Sequence, residues 1–306
     1  MNRFAKVAWL TTGVTVFVVL WGAIVRATGS GAGCGNNWPT CNGEVLPLSG
    51  SAETAIEFVH RITSAGLGLL ILYLLVLAIR KYPTGHRVQR AAIATFALVI
   101  VESLVGAGLV LFEQTGEFEG VSRAYWQSGH FVNTLLLLAA ATLTAWWAST
   151  SPPDHDETAT PRERRLIGAV GVGMLILGVS GAIAALGDTL FPVDSFVEGL
   201  ERELSATGHI FERLRIFHPA IAIGVGLLAV WVVNELAESR QGRVGRVARF
   251  VSLLVLVQLA LGTVNALLAA PIWIQVIHLL LADLVWMGLV VLAADVLATR
   301  RVGATT

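Results

Sequence analysis

Eight long apolar stretches constrain the fold of this 306-residue chain more than any other feature of its sequence. Each is about 20 residues long, the length that an α-helix needs to cross the hydrocarbon core of a bilayer. The apolar residues are continuous rather than alternating, which favours membrane-spanning helices over the strands of a barrel. The stretches cover residues 7–25, 56–79, 91–112, 125–147, 166–186, 216–236, 247–269 and 272–297.

The amino-acid composition supports a membrane protein. Hydrophobic residues make up 55% of the chain and charged residues 14%, which excludes a water-soluble domain of ordinary composition. The formal net charge is zero, so charge indicates no class of partner, and we expect no nucleic acid. The first stretch follows Arg3 and Lys6 but exceeds the apolar core of a typical signal peptide, so we predict a retained helix.

Basic residues are distributed unevenly between the apolar stretches. The amino terminus, the segments after the second, fourth and sixth stretches, and the carboxyl terminus hold 14 of the 21 Lys and Arg residues, and Arg249 lies at the start of the seventh stretch. Short loops rich in these residues stay in the cytoplasm. We therefore predict a multi-pass protein of the plasma membrane with both termini cytoplasmic and the intervening loops outside.

The two halves of the chain resemble each other in four places. "GAIVRATGSG" matches "GAIAALGDTL", "EFVHR" matches "RIFHP", and "VESLVG" matches "VQLALG". The fourth and eighth stretches share the pattern Gln-x-x-His. Four helices in each half restore the same orientation, so the pattern predicts a parallel repeat. We expect an all-α membrane protein of two pseudo-symmetric four-helix bundles, residues 1–150 and 151–306.

Four of the seven histidines lie near the predicted outer ends of the even-numbered stretches. The repeat pairs His60 with His130 and His218 with His278, one pair in each bundle. Two imidazoles that face each other at one depth are the axial ligands that a haem iron takes. Zinc is the weaker interpretation, because no cysteine, carboxylate pair or third histidine lies at the level of either pair in the pattern. A single histidine of this kind is also open to a packing role.

Three ionisable residues of the second stretch, Glu57, His60 and Arg61, share one face of the predicted helix. Ionisable groups within a membrane are costly unless paired or wetted, so a functional role is the default. Two interpretations of Glu57 stay open: a carboxylate that exchanges protons with a substrate, or the partner of Arg61 in a structural ion pair. Candidate cations for haem propionates are Arg26 and Arg61 at the first site and Arg213 and Arg215 at the second.

The two predicted sites differ in their polar residues. Arg215 takes the place of Glu57 in the second half, and Gln258 takes the place of Glu102. A carboxylate in an apolar pocket can exchange protons near neutral pH, whereas arginine cannot. We therefore predict a reactive first site and a second site that serves as a redox relay. Glu102 is also open to a packing role, as a protonated group bonded to a neighbouring helix.

Cys34 and Cys41 are the only cysteines, and they lie in "CGNNWPTC" between the first two stretches. Thiols outside the cytoplasmic membrane oxidise, so we expect a disulfide. It is either a staple for a glycine-rich loop or an electron acceptor above the first site.

These motifs together resemble the haem A synthase family, which converts haem O to haem A. The resemblance covers nearly the whole chain and is carried by "VRATGSGAGC" leading to "WPTC", by "EFVHR" and by the later histidines. It implies that His218 and His278 hold a resident haem b, while His60 and His130 hold the substrate haem O. It also implies that Glu57 is the catalytic carboxylate and that Cys34 and Cys41 are the outer-loop cysteine pair.

The resemblance implies a reaction and partners as well. The ring methyl of haem O becomes a formyl group with water as the oxygen source, and haem A goes to terminal oxidases. Haem O synthase, terminal oxidase assembly factors and membrane lipid are the implied partners. The chain departs from the family pattern at Glu102, where glutamine is expected, and in lacking cysteines in its second half.

Two other classes of function remain alternatives. A bis-histidine dihaem cytochrome for quinol-linked electron transfer accounts for the four histidines but not for Glu57 or the cysteine pair. A small-molecule transporter accounts for the repeat but leaves the common depth of the histidines unexplained.

Overall fold

The computed structural model describes residues 1–47, 50–150, 159–240 and 242–298. Over these residues the protein is built from α-helices and one short 3₁₀ turn at Ser30–Ala32, without a β-strand. The helices are α1 (Arg3–Ala27), α2 (Ala52–Lys81), α3 (Arg87–Leu111), α4 (Val121–Ser149), α5 (Pro161–Leu190), α6 (Phe196–Leu204), α7 (Ile210–Arg215), α8 (Phe217–Ser239), α9 (Arg243–Leu267) and α10 (Ile272–Val296).

Eight helical segments are long and apolar enough to cross a membrane, which confirms the eight predicted spans and a multi-pass membrane protein. The sixth span is Ile210–Glu238, in which α8 follows α7 after the single residue Ile216. Several helices begin before the predicted apolar stretch, because polar capping residues start them. Ser51 caps α2 by accepting from the Thr54 N–H, and Thr160 with Glu163 forms a capping box on α5.

Helices from the same half of the chain pack mainly on one another. In the first half α3 packs on α4, and α1 and α2 pack together; in the second half α8, α9 and α10 pack in sequence. The halves meet where α4 packs on α5 and α10, and where α1 packs on α10. The indole of Trp286 on α10 donates to the Leu135 carbonyl of α4 across this contact, at 2.7 Å.

The largest cluster of buried apolar residues lies at this contact between the halves. It combines Leu135 and Leu138 of α4 with residues of α5, α8, α9 and α10. The division into bundles at residue 150, the pseudo-symmetry and the cytoplasmic termini stay predictions. Residues 151–158, beside that division, lie outside the described residues.

Candidate functional site

All four predicted histidines lie within about the first ten residues of their spans, and all are half-buried. Each imidazole lies against a glycine of the preceding span. A Cβ atom placed on that glycine would be 3.1, 4.0, 3.1 and 2.9 Å from the ring Cε1, in chain order. A larger side chain would therefore crowd the ring at three of the four positions. The pairs are Gly22 with His60, Gly106 with His130, Gly181 with His218 and Gly262 with His278.

The histidines come together in the two predicted pairs. His60 lies within electrostatic range of His130, and His218 lies within range of His278. In the part of the chain that the structure describes, no group of three or more His, Cys, Asp or Glu side chains could hold a metal ion. A site built from two imidazoles suits a haem iron, because the porphyrin would supply the four remaining ligands.

The ring nitrogens test whether the pairs fit a haem. Within the described residues, His60 Nδ1 is buried without a hydrogen-bond partner. His218 Nδ1 lies 3.0 Å from the Ser180 hydroxyl, which leaves Nε2 for a ligand. His278 Nε2 lies 3.3 Å from the side-chain nitrogen of Gln258, and its Nδ1 is buried without a partner in the described part of the chain. His218 therefore offers Nε2 to a haem iron in the conformation seen, and His278 offers Nε2 once the Gln258 amide turns away from it.

Glu102 joins α3 to α4 directly beside the first pair. Its Oε1 lies 3.1 Å from His130 Nδ1, although the N–H direction is not aligned with the oxygen. Asn133 donates to Glu102 Oε2 at 2.6 Å and to the Leu98 carbonyl at 2.9 Å. The Thr134 hydroxyl donates to Glu102 Oε1. The predicted bonding of Glu102 to a neighbouring helix is therefore present, and one of its contacts is a candidate haem ligand.

The Glu57 carboxylate is turned toward the cysteine loop, which comprises residues 33–41. Its Oε1 accepts from Arg61 at 2.5 and 3.1 Å, and its Oε2 accepts from the backbone N–H of Cys34 at 2.8 Å. Arg61 also donates to the carbonyls of Asn37 and Thr40, at 2.5 and 2.7 Å. The ion pair that the sequence left open is thus present, and Glu57 is 4% exposed.

The cysteine loop lies on the first turns of α2. Cys34 and Cys41 form the predicted disulfide, and both residues are buried. A Cβ atom on Gly33 would be 2.4 Å from the carbonyl carbon of Glu53, so this close approach requires glycine. The Thr54 hydroxyl donates to the Gly33 carbonyl at 2.7 Å. The loop therefore covers the end of α2 that carries Glu57.

Arg26, which we expected beside the first pair, reaches into the second half of the chain. Its Nη1 donates to the Ala185 carbonyl at 2.5 Å and to the Thr189 hydroxyl at 2.6 Å. Its Nη2 donates to the Gln275 side-chain oxygen at 2.8 Å. The side chain thus ties α1 to α5 and α10.

Arg215 is buried in a cluster of acidic groups. Its Nη1 lies 3.0 Å from Asp188, and its Nε lies 3.2 Å from Glu203. Burial raises the pKa of the Glu203 carboxyl, against the opposing effect of the Arg215 charge. Arg215, Asp188 and Gln275 line a cavity of about 280 Å³. Arg213, the other predicted cation, is exposed.

Residues 5–290 match the family model described as COX15-CtaA, cytochrome oxidase assembly protein. The chain belongs to the COX15-CtaA family. This agrees with the resemblance that the sequence motifs indicated, because proteins named heme A synthase are among its relatives. One from Bacillus cereus (strain AH187) and one from Bacillus anthracis (strain CDC 684 / NRRL 3495) are each 41% identical to it over 115 residues. These matches cover 37% of this chain and 37% of each relative.

A longer match joins this COX15-CtaA chain to a protein from Thermus thermophilus. That relative is named protoheme IX farnesyltransferase and is 45% identical over 304 residues. The match covers 97% of this chain but 49% of the relative. The chain therefore spans about half the length of the Thermus protein.

The glycines beside the histidines are site residues of this COX15-CtaA chain that sequence reasoning missed. The signal was available, since Gly22 and Gly181 begin the matched "GAI" motifs, and Gly106 and Gly262 end "VESLVG" and "VQLALG". These motifs indicate a repeat, and the sequence alone does not show that the glycines face the imidazole rings. Ser180, which contacts His218, carried no such signal.

Proposed function

We propose that this COX15-CtaA protein is a haem A synthase that oxidises the ring methyl of haem O to the formyl group of haem A. The family match over residues 5–290 is the observation that carries the proposal. In the balanced reaction, one methyl group and one water molecule give one formyl group, four protons and four electrons. The enzyme must therefore hold the substrate, accept protons and pass electrons to an acceptor.

The first histidine pair is the proposed substrate site, where His60 and His130 hold the iron of haem O. Gly22 supports this role, because its missing side chain leaves space beside the His60 ring. Glu57 lies one turn before His60 on α2 and is the proposed proton acceptor. Arg61 and the Cys34 N–H fix the position of its carboxylate and provide charge and hydrogen-bond partners for its ionised form.

The second histidine pair is the proposed site of a resident haem b, held by His218 and His278. Such a haem supplies one-electron redox chemistry when it is bound. Ser180 orients His218 through its Nδ1 atom. Arg215 is the proposed cation for a propionate, because it lines the cavity at this end of the second half. Arg26 and Arg213 have weaker support, since one bonds to α5 and α10 and the other is exposed.

The proposal includes the arrangement in the membrane. Two pseudo-symmetric four-helix bundles, residues 1–150 and 151–306, lie in the plasma membrane with both termini cytoplasmic and the haem sites near the outer face. The glycine that accompanies each histidine at matched repeat positions supports the symmetry. The clustering of basic residues in alternate loops supports the orientation.

A haem O synthase is the proposed partner that supplies the substrate. The Thermus relative bears the name of a protoheme IX farnesyltransferase and is about twice as long as the matched region, which supports a close association of the two activities. Terminal oxidases and their assembly factors are the proposed recipients of haem A, and membrane lipid surrounds the helices.

Mass spectrometry of haems that co-purify with the protein tests this proposal. In a host that makes haem O but no haem A, we expect haem A to appear only when the protein is expressed. His60→Ala should abolish haem A and leave haem b bound at the second pair. His86→Asn, which changes a histidine outside the spans while keeping its side-chain cap on α3, is the matched control. Wild-type protein that contains haem b alone would favour the dihaem cytochrome.

A further inference from the structure

The contact between Glu102 and His130 belongs to a small polar network built on one face of α4. His130, Asn133 and Thr134 have the i, i+3, i+4 relation, so all three side chains reach the same carboxylate on α3. Asn133 also bonds to the Leu98 carbonyl, one turn before Glu102 on α3. The carboxylate is therefore held in place by two donors and presents Oε1 to His130 Nδ1.

The second half does not repeat this network. In the repeat alignment Gln258 takes the place of Glu102, while Leu281 and Ala282 take the places of Asn133 and Thr134. Gln258 lies against the other ring nitrogen, Nε2 of His278, at 3.3 Å. Nδ1 of His278 has no carboxylate partner among the described residues, whereas Nδ1 of His130 lies beside Glu102, so the two candidate haem ligands have different electronic surroundings.

A carboxylate beside one ring nitrogen of a histidine changes the tautomer of the ring and the donor strength of the other nitrogen. By accepting the Nδ1 proton it selects the tautomer with a bare Nε2 and makes that nitrogen a stronger electron donor. A stronger donor stabilises the ferric form of a bound haem iron and lowers its reduction potential. Glu102 Oε1 lies 3.1 Å from His130 Nδ1, which is within hydrogen-bond distance once the Nδ1–H points at the oxygen.

We propose that Glu102 is a positioning residue that makes His130 a strongly donating axial ligand and so lowers the reduction potential of iron at the first site below that at the second. The difference directs electrons from the substrate site toward the resident haem. This inference rests on the proposed function, because it requires haems at both pairs. It assigns Glu102 a role that Gln258 cannot take in the second half.

Redox titration of the purified protein, followed by absorption spectroscopy, tests the inference. Glu102→Gln copies the second half and keeps the side-chain volume. We expect the potential of the His60-dependent haem to rise, while the potential of the other haem stays unchanged. Glu102→Asp, which keeps the charge, should restore part of the shift. Ser103→Ala is the matched control on α3, because the Ser103 hydroxyl bonds to the Val99 carbonyl of its own helix.

A second measurement separates an electronic role from a structural one. The g values of the ferric first-site haem should move in Glu102→Gln toward those of a bis-imidazole haem without a carboxylate partner. If the potential and g values equal those of the wild type, Glu102 has no such role and the synthase proposal stands. If no His60-dependent haem can be detected in the wild type, both the inference and the synthase proposal fail.

Discussion

The two candidate haem sites share an arrangement of histidines and glycines but differ in the polar residues around it. Each pairs two histidines, and each histidine ring rests on a glycine of the preceding span. Around that arrangement, Glu57 and Glu102 in the first half are replaced by Arg215 and Gln258 in the second. The glycines lie against the rings in both halves, whereas the polar residues near the rings differ between the halves.

The loops that follow the first and fifth spans show the same contrast. The first loop is closed by the Cys34–Cys41 disulfide and is bonded to Glu57 and Arg61 of α2. The corresponding segment of the second half forms the short helix α6, and Arg215 holds it through an ion pair with Glu203. One loop therefore joins its site through a carboxylate, and the other joins through an arginine.

Replacing Glu57 should produce the largest difference between the halves. We expect Glu57→Gln to retain both haems and to lower haem A formation by about 10²-fold or more, because the proposed proton acceptor is lost. Arg215→Gln, at the aligned position, should weaken the cluster around Glu203 and the binding of the second haem, for which Arg215 is the proposed propionate cation, without removing the proton acceptor. Haem A formation per bound haem O is the measurement. Unchanged formation in Glu57→Gln would remove Glu57 from the mechanism and with it the predicted division of roles.

Replacing the glycines beside the histidines with alanine should have an intermediate effect, on haem retention. Gly262→Ala places a Cβ atom 2.9 Å from the His278 ring, so we expect a cost of about 1–3 kcal/mol and weaker retention of the second haem. Gly106→Ala is the matched control, since its Cβ atom would be 4.0 Å from His130. The haem content of each variant after gel filtration measures how well it retains haem. Equal retention in the two variants would show that the glycines do not position the rings.

The smallest expected effect concerns the pH dependence of stability in the second loop. Burial raises the pKa of Glu203 in the folded protein, so the folded state binds this proton more tightly than the unfolded state. The Glu203 contribution to stability therefore falls as pH rises from the ordinary pKa of 4.5 through the raised value. Glu203→Gln should flatten this decline in thermal unfolding measured at several pH values. Glu201→Gln, an exposed neighbour, should leave the decline unchanged.

Several features were predictable because they depend on local pattern. The eight spans follow from runs of apolar residues, and the family was indicated by contiguous motifs around Cys34 and His60. The positions of the four histidines near the start of their spans follow from the same pattern, and their roles as haem ligands stay predictions. The bonding partners of Arg26 were not predictable, because a long side chain near a helix end can meet several neighbours, and only packing decides that it bonds to α5 and α10. Its role toward a propionate at the first site stays a prediction.

The sequence by itself determined the number of membrane spans, the cysteine pair and the place of each histidine along its span, since lipid demands long apolar helices and the residue number fixes the position along a helix. Tertiary structure alone decided which partner each polar side chain meets. Glu57 contacts the cysteine loop, Glu102 contacts His130, and Gln258 contacts the opposite nitrogen of His278. These contacts depend on the rotation and separation of neighbouring helices. The apolar pattern of a membrane span carries little information on either, because lipid and protein interior are both apolar.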